Sequence, residues 1–211
     1  MYASISDSEL NLFAQPARIL IAGYSGGGKS VLASKLIRKY RSAFDKVVII
    51  GSTLENCSDL NIVRNDNYNP LSEAIEGENS LIVFDDIIYD KSVMKIAQEC
   101  FIKGRHKQIS CLFLSQNLFL QDKGFRIIGL NCTHTILCRS RDINQIVLFG
   151  RSFLQREYIQ SFVEVYKRTV LKKQFGYILI DFTKNFDTPQ SIRTNIFNET
   201  LFETAFELTA S

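Results

Sequence analysis

The sequence predicts an α/β fold, in which a central, mostly parallel sheet carries helices on both faces. Short apolar runs alternate with amphipathic stretches along the chain, which is the pattern of a parallel sheet with crossover helices. A glycine-rich loop joins the first apolar run to the first amphipathic stretch, and a later apolar run ends in two aspartates. Both features are expected at the carboxyl edge of the strands, where open α/β sheets bind their ligands.

The candidate strands are short apolar runs, and they cover residues 17–22, 46–51, 80–85, 109–115, 134–138 and 176–182. The candidate helices have apolar residues three to four positions apart. They cover residues 29–41, 91–104, 142–149, 153–168 and 197–208. Between residues 53 and 79 the chain is polar and rich in Asn and Asp, which predicts a long connection.

The length of 211 residues is enough for one well-packed α/β domain and short for two. We predict a single domain over residues 1–211, with its core at about 17–182 and a helical extension at about 183–211. A hydrophobic content of 45% with 22% charged residues excludes wholesale disorder. The net charge of +3 is modest, so any contact with nucleic acid has to come from a local patch.

No apolar run approaches the roughly 18 residues that a membrane span needs, and the N-terminus lacks the regions of a secretion signal. We therefore expect a soluble, unsecreted protein without a membrane partner. The cysteines are odd in number and show no C-x-x-C spacing, which indicates reduced core residues in an intracellular protein. These cysteines are Cys57, Cys100, Cys111, Cys132 and Cys138.

Residues 23–30 form a complete phosphate-binding loop of the pattern G-x-x-x-x-G-K-[ST]. Such a loop aims successive backbone N–H groups at an anion, next to the positive end of a helix dipole. Lys29 is expected to reach the β and γ phosphates of ATP, and Ser30 is expected to offer its hydroxyl to Mg²⁺. The alternative is a glycine-rich turn that binds nothing. The residues assigned to nucleotide binding are Gly23, Ser25, Gly26, Gly27, Gly28, Lys29 and Ser30.

Two carboxylates, Asp85 and Asp86, follow four apolar residues of a candidate central strand. Asp85 is expected to hold Mg²⁺ through its water shell, as the metal-binding aspartate of P-loop enzymes does. Asp86 is expected to activate the water that attacks the γ phosphate, because a carboxylate can accept a proton from it. The alternative is a strand-to-helix turn in which Asp86 leads toward a helix cap.

Gln116 follows the next strand, and its carboxamide can donate to a γ-phosphate oxygen while accepting from the attacking water. We assign it as a γ-phosphate sensor, against the alternative of a polar residue that leaves a strand. Arg105 precedes that strand at a helix C-terminus, where a cation complements the helix dipole. It is also a candidate for an arginine that reaches a neighbouring subunit and stabilises transition-state charge. Arg139 and Arg141 are rivals for this role.

Together these features resemble the FtsK/HerA superfamily of P-loop NTPases, which is of the RecA-like (ASCE) type. The compact form of the pattern is similar to the viral genome-packaging ATPases of poxviruses, virophages and polinton-like elements. The resemblance spans about residues 17–141. It rests on the glycine-rich loop, the strand that ends in Asp85-Asp86, Gly104-Arg105-His106 and Ser115-Gln116-Asn117.

The resemblance implies that Lys29 and Ser30 bind ATP and Mg²⁺ and that Asp85 holds the metal. It also implies that Asp86 activates water, that Gln116 is the sensor and that Arg105 acts in trans. Asp86 departs from many members of the superfamily, in which a glutamate is common at this position.

The same resemblance implies a homo-oligomeric ring of five or six subunits that hydrolyses ATP. Such a ring threads double-stranded DNA into a preformed capsid, with the capsid or its portal vertex as partner. The expected location is the infected host cell, in the cytoplasm or a viral factory, or association with the virion.

Two other functions use the same loop. A P-loop kinase of small molecules or nucleotides needs an acceptor pocket and usually an arginine-rich lid, in place of paired strand-end carboxylates and a polar sensor. A nucleotide-dependent assembly protein would use ATP only to organise a ring, without moving DNA.

Overall fold

The structure is a computed structural model, and we describe the elements that carry the site. The described residues are 12–13, 15–51, 54, 63–65, 67–118, 123–184, 191–194, 196 and 204–206. The strands are β1 Arg18–Ala22, β2 Lys46–Gly51, β3 Val63–Arg64, β4 Ser80–Asp85, β5 Ile109–Ser115, β6 His134–Leu137, β7 Ile178–Asp181, β8 Ile192–Thr194 and β9 Thr204–Phe206. The helices are α1 Lys29–Tyr40, α2 Pro70–Glu73, α3 Lys91–Lys103, α4 Lys123–Leu130, α5 Ile143–Phe153 and α6 Ile159–Tyr166.

The strands described here form one sheet in the order β3-β2-β4-β5-β1-β6-β7-β8-β9. The first six strands in this order, β3, β2, β4, β5, β1 and β6, are parallel to one another. Strands β7, β8 and β9 each pair antiparallel to the strand before them. In the sheet, β5 separates β1 from β4. The carboxyl ends of these three neighbouring strands therefore lie side by side.

Helices cover both faces of the sheet, as the sequence predicted. On one face, Leu32 and Leu36 of α1 pack with Ile19 and Ile21 of β1. On the opposite face, helices α3, α4, α5 and α6 pack against residues such as Phe113 of β5. Because the central strands are buried on both faces, they consist of uninterrupted apolar runs.

The predicted strands agree with the structure to within two residues at each end. The predicted helix over 153–168 is corrected, because α5 continues to Phe153 and the chain bends before α6 begins at Ile159. Residues Lys167–Leu171 then form a π-helical turn. Helix α4 was missed, because it is only eight residues long and contains Gly124 and Gly129, which lower the helix propensity of the segment.

The predicted helix over 197–208 is wrong where the structure describes it. Thr204–Phe206 is strand β9, which pairs with β8, and the rest of that range lies outside the described residues. The open edge of β8 offers backbone partners that a helix could not use. Such tertiary pairing overrides the local helical periodicity of the sequence.

The cysteines are core residues, as predicted, at the four described positions. Cys100, Cys111, Cys132 and Cys138 are buried and form no disulfide, and Cys57 lies outside the described residues. Burial raises the pKa of Cys132 and of Cys138 to about 12. These two thiols are therefore protonated and weakly nucleophilic at neutral pH.

Within the part of the chain that the structure describes, none of the helices combines the length and the apolar character that crossing a bilayer requires.

The aromatic cluster under β4 and β5 gives the first testable prediction. Phe113 is fully buried, and its ring centroid lies 6.0–6.3 Å from those of Phe84, Phe101 and Phe125. We expect Phe113→Ala to lower the free energy of unfolding by about 3–5 kcal/mol, because it leaves a cavity that cannot close fully. Urea denaturation measures this loss.

The matched control is Leu148→Ala on α5, whose side chain is 48% exposed. We expect it to change the free energy of unfolding by less than about 1 kcal/mol. Equal losses in the two variants would contradict the placement of the core.

Candidate nucleotide site

The loop between β1 and α1 is attached to both strands that flank β1. The amide of Gly23 donates to the carbonyl oxygen of Ser115 at the end of β5, at 3.1 Å. The amide of Tyr24 donates to the carbonyl oxygen of Arg139, which follows β6, at 2.9 Å. The amide of Gly27 donates back to the Tyr24 carbonyl at 2.9 Å. These bonds hold the loop in a closed turn over the carboxyl edge of the sheet.

Gly28 sets the start of α1. Its φ angle of 92° lies in the left-handed region, where residues with side chains are strained. No side chain caps this end of α1. The first-turn backbone N–H groups are therefore available to an anion, and the helix dipole favours negative charge there.

Lys29 is half-buried, and its Nζ donates to the Tyr24 carbonyl oxygen at 3.0 Å. Burial lowers the pKa of Lys29, while the carboxylates of Asp86 and Asp85 act in the opposite direction. The amine thus has one loop carbonyl as partner and a negative environment across the cavity. A phosphate group can replace that carbonyl with a stronger, charge-assisted partner.

Asp85 ends β4 and is buried, with 3% of its surface exposed. The β2 residue opposite it is Gly51, where an added Cβ would lie 2.0 Å from the Asp85 carbonyl oxygen. Only glycine therefore allows β2 to reach this close to the metal-binding candidate. The sequence reasoning did not single out Gly51, because its role depends on a neighbouring strand.

Asp86 and Gln116 contact each other over the cavity. Asp86 has a left-handed φ of 55°, a conformation that aspartate tolerates better than most residues. The Nε2 of Gln116 lies 3.2 Å from both carboxylate oxygens of Asp86 and donates to them. The predicted base and the predicted sensor are therefore hydrogen-bonded to each other.

One cavity of about 240 Å³ brings most of the predicted residues together. Its lining includes the loop, the start of α1 and the ends of β4 and β5. The lining residues are Ser25, Gly26, Gly28, Lys29, Ser30, Val31, Asp85, Asp86, Leu114, Gln116 and Phe175. Gly23 and Gly27 shape the loop without lining the cavity.

Three residues of this lining were not predicted from the sequence, namely Val31, Leu114 and Phe175, and Phe175 lies farthest from the loop along the chain. It belongs to the segment between the π-helical turn and β7, which follows the loop by about 150 residues in the chain. Neither its spacing nor its neighbours form a pattern that points to the loop. The antiparallel pairing of β7 with β6 places it beside Gly28.

The three arginine candidates lie at different edges of the sheet. Arg105 is in the turn Gly104–Lys107 that precedes β5, so it lies at the amino edge, opposite the cavity. A strand of seven residues such as β5 spans about 20 Å. Arg139 and Arg141 follow β6 at the cavity edge, where the Arg141 guanidinium lies 5.1 Å from the centroid of the Tyr24 ring. Arg105 is not part of the cavity of its own chain.

The cavity has the donors that Mg²⁺ prefers. The Ser30 hydroxyl and the Asp85 carboxylate are hard oxygen ligands, and both residues line it. No group of three His, Cys, Asp or Glu residues that could hold a metal occurs among the described residues. A metal here would therefore take its remaining ligands from phosphate oxygens and water, as Mg²⁺ does in nucleotide enzymes.

The chain has a P-loop NTPase fold of the RecA-like type. The features that define it are the loop between β1 and α1, the carboxylates at the end of β4, and strand β5, which lies between β1 and β4 in the sheet. The comparison with solved structures agrees. The genome packaging NTPase B204 from Sulfolobus turreted icosahedral virus 2, in complex with AMPPCP, superposes with a TM-score of 0.61 at 15% identity. The match covers 84% of this chain and 96% of that chain.

The same NTPase in complex with AMP superposes with a TM-score of 0.59, at 15% identity and the same coverage. EssC (ATPases 2 and 3) from Geobacillus thermodenitrificans has a TM-score of 0.51 at 12% identity, over 93% of this chain and 40% of that chain. No protein-family model matches the sequence, and no curated protein matches it either. The structural likeness confirms the fold that the sequence resemblance predicted.

The backbone of Gly28 gives the second prediction. A Cβ added there would lie 3.0 Å from Cδ1 of Phe175, on a residue whose φ is already left-handed. We expect Gly28→Ala to weaken binding of Mg-ATP at least tenfold, because the loop has to move to relieve the contact with Phe175 and the backbone strain. Isothermal titration calorimetry measures the affinity.

Gly77→Ala is the control, since Gly77 has a φ of 82° and nothing lies within 4 Å of its added Cβ. Both variants should lose about 1–2 kcal/mol of stability from the left-handed backbone. Only Gly28→Ala should lose affinity, and a loss in both would assign the effect to general destabilisation.

Proposed function

We propose that the chain is the subunit of an ATP-hydrolysing motor that moves double-stranded DNA and packages a viral genome into a preformed capsid. The observation that carries the hydrolytic part is the contact between Asp86 and Gln116 over the cavity that Lys29 and Ser30 line. A water that attacks a γ phosphate needs an acceptor and an orienting group at this position. The DNA-packaging part is supported by the sequence resemblance and by the fold shared with a genome packaging NTPase.

The phosphates of ATP bind at the N-terminus of α1. Backbone N–H groups of the loop and of the first helical turn donate to the phosphate oxygens. Lys29 exchanges its hydrogen bond to the Tyr24 carbonyl for one to a phosphate. Ser30 and Asp85 would hold Mg²⁺, which would supply positive charge to offset the charge that develops on the phosphate oxygens.

Asp86 accepts a proton from the attacking water, and Gln116 orients that water. The hydrogen bond from the Gln116 carboxamide to Asp86 keeps the carboxylate in place before ATP binds. When a γ phosphate is present, the carboxamide can donate to it instead, which releases the carboxylate for the water. The shorter side chain of aspartate reaches the cavity because the left-handed turn at Asp86 follows the strand end directly.

Assembly into a ring supplies an arginine from the next subunit. A residue that acts in trans has to lie away from its own cavity, and Arg105 meets this condition. Arg139 and Arg141 lie beside their own loop, which suits a local role more than a trans role. On this proposal the ring has five or six subunits, works inside the infected host cell and docks on the portal vertex of the capsid.

Asp86→Asn gives the third prediction. The variant should bind Mg-ATP with unchanged affinity but lose at least about 100-fold in turnover, because the amide cannot accept the proton. Release of inorganic phosphate measures turnover, and calorimetry measures binding. Asp90→Asn is the matched control, since asparagine can replace aspartate at the N-cap of α3. Hydrolysis by Asp86→Asn at the rate of the unmodified protein would remove Asp86 from the mechanism.

Assembly and DNA dependence give the fourth prediction. The ATPase rate should rise more steeply than linearly with protein concentration, and duplex DNA should stimulate it. Arg105→Ala and Asp86→Asn should each be inactive alone and recover partial activity when mixed, because each supplies the residue that the other lacks.

The same assay separates the alternatives. Transfer of phosphate to a metabolite would indicate a kinase, and nucleotide binding without turnover would indicate an assembly protein. A linear rate that DNA leaves unchanged would contradict a DNA-driven ring.

A further inference from the structure

A second cavity of about 250 Å³ lies beside the phosphate cavity and is lined by no residue that the mechanism uses for catalysis. Gly28, Val31 and Phe175 line both cavities, so the two spaces meet at these residues. The rest of its lining comes from α1, from the segment before β7 and from β8. These residues are Leu32, Lys35, Lys173, Gln174, Gly176, Tyr177 and Thr194.

The second cavity runs along α1, away from the phosphates. Gly28, Val31, Leu32 and Lys35 are three to four residues apart, so they lie on one side of the helix. At 1.5 Å per residue, the distance from Gly28 to Lys35 along the axis is about 10 Å. A group joined to the end of a phosphate chain at the helix N-terminus could therefore extend into this space.

Phe175 stands at the junction with an exposed ring. Its side chain is 55% exposed, although it is a large apolar residue. Its φ angle of 58° is left-handed, which is unfavourable for a bulky residue. An exposed ring on a strained backbone at a cavity mouth is the arrangement expected when a ligand covers it.

The packing of Gly176 keeps Phe175 in this position. A Cβ at Gly176 would lie 2.6 Å from the Thr169 carbonyl oxygen and 2.9 Å from the Cα of Val170. The backbone at Gly176 thus packs closely against the π-helical turn, and the side chain of Phe175 is left exposed. The Phe175 ring in turn touches the space above Gly28, where it would lie 3.0 Å from an added Cβ.

We propose that the second cavity receives the ribose and the aromatic base of the nucleotide and that the base packs against Phe175. This assignment rests on the proposed function, in which the triphosphate occupies the first cavity. An aromatic ring can stack on a base whatever the hydrogen-bonding pattern of that base, because every base has a flat π face. The hydroxyl of Thr194 already donates to the Tyr177 carbonyl oxygen at 2.8 Å, so its hydrogen is engaged within the protein. Tyr177 is the other aromatic residue that lines the second cavity, whereas Tyr24 of the loop lines neither cavity.

The first experiment uses Phe175→Trp, because the sequence contains no tryptophan and the substitution introduces a single fluorophore. Mg-ATP should quench or shift its emission, whereas inorganic tripolyphosphate, which lacks a base, should bind without that change. Leu130→Trp is the control, since Leu130 is exposed at the end of α4 that leads into the amino edge of β6. Equal responses of Phe175→Trp to ATP and to tripolyphosphate would overturn the assignment.

The second experiment compares affinities by calorimetry. Phe175→Ala and Phe175→Leu should weaken the affinity for Mg-ATP about tenfold, because the base loses its stacking partner, and should leave the affinity for tripolyphosphate unchanged. Unchanged ATP affinity in both variants would place the base elsewhere. Failure of the proposed function is distinguishable: if the first cavity binds no triphosphate, the unmodified protein binds neither ATP nor tripolyphosphate, and if only the hydrolytic motor fails, both ligands bind without phosphate release.

Discussion

The hydrogen bond from the Gly23 amide to the Ser115 carbonyl joins the phosphate loop to the end of β5, and the geometry of the site depends on that join. This bond places the loop beside the last residue of β5, directly before Gln116. Since β4 pairs in register with β5, it also sets the loop beside Asp85 and Asp86. Parallel strands end at one edge, so three segments distant in sequence converge there.

Electrostatics divides the cavity into two sides. The loop, the start of α1 and Lys29 form a positive side, while Asp85 and Asp86 form a negative side. Within the positive side, Lys29 donates to the Tyr24 carbonyl oxygen. A phosphate chain with its magnesium ion carries both signs of charge and could satisfy both sides at once, whereas neither a lone anion nor a lone cation could.

The position of Arg105 bears on the proposed ring. Because the turn that carries it precedes β5 and the cavity follows β5, the length of that strand separates the two within one chain. A ring that brings the amino edge of one subunit to the carboxyl edge of the next would be the simplest arrangement that unites them. Phe175, in contrast, reaches the cavity from within the chain, through the antiparallel strand β7.

The sequence by itself determined the central strands, the residues of the phosphate loop and the candidates for the metal ligand and the sensor. Fully buried strands such as Ser80–Asp85 have to be continuous apolar runs, and a phosphate loop needs glycine, lysine and serine at adjacent positions, so both are visible locally. Only the tertiary structure decided that Thr204–Phe206 is a strand, that Gly51 must be a glycine and that Phe175 lies at the cavity. Each of these depends on a backbone or a side chain far away in the chain, and local periodicity carries no information about such a partner.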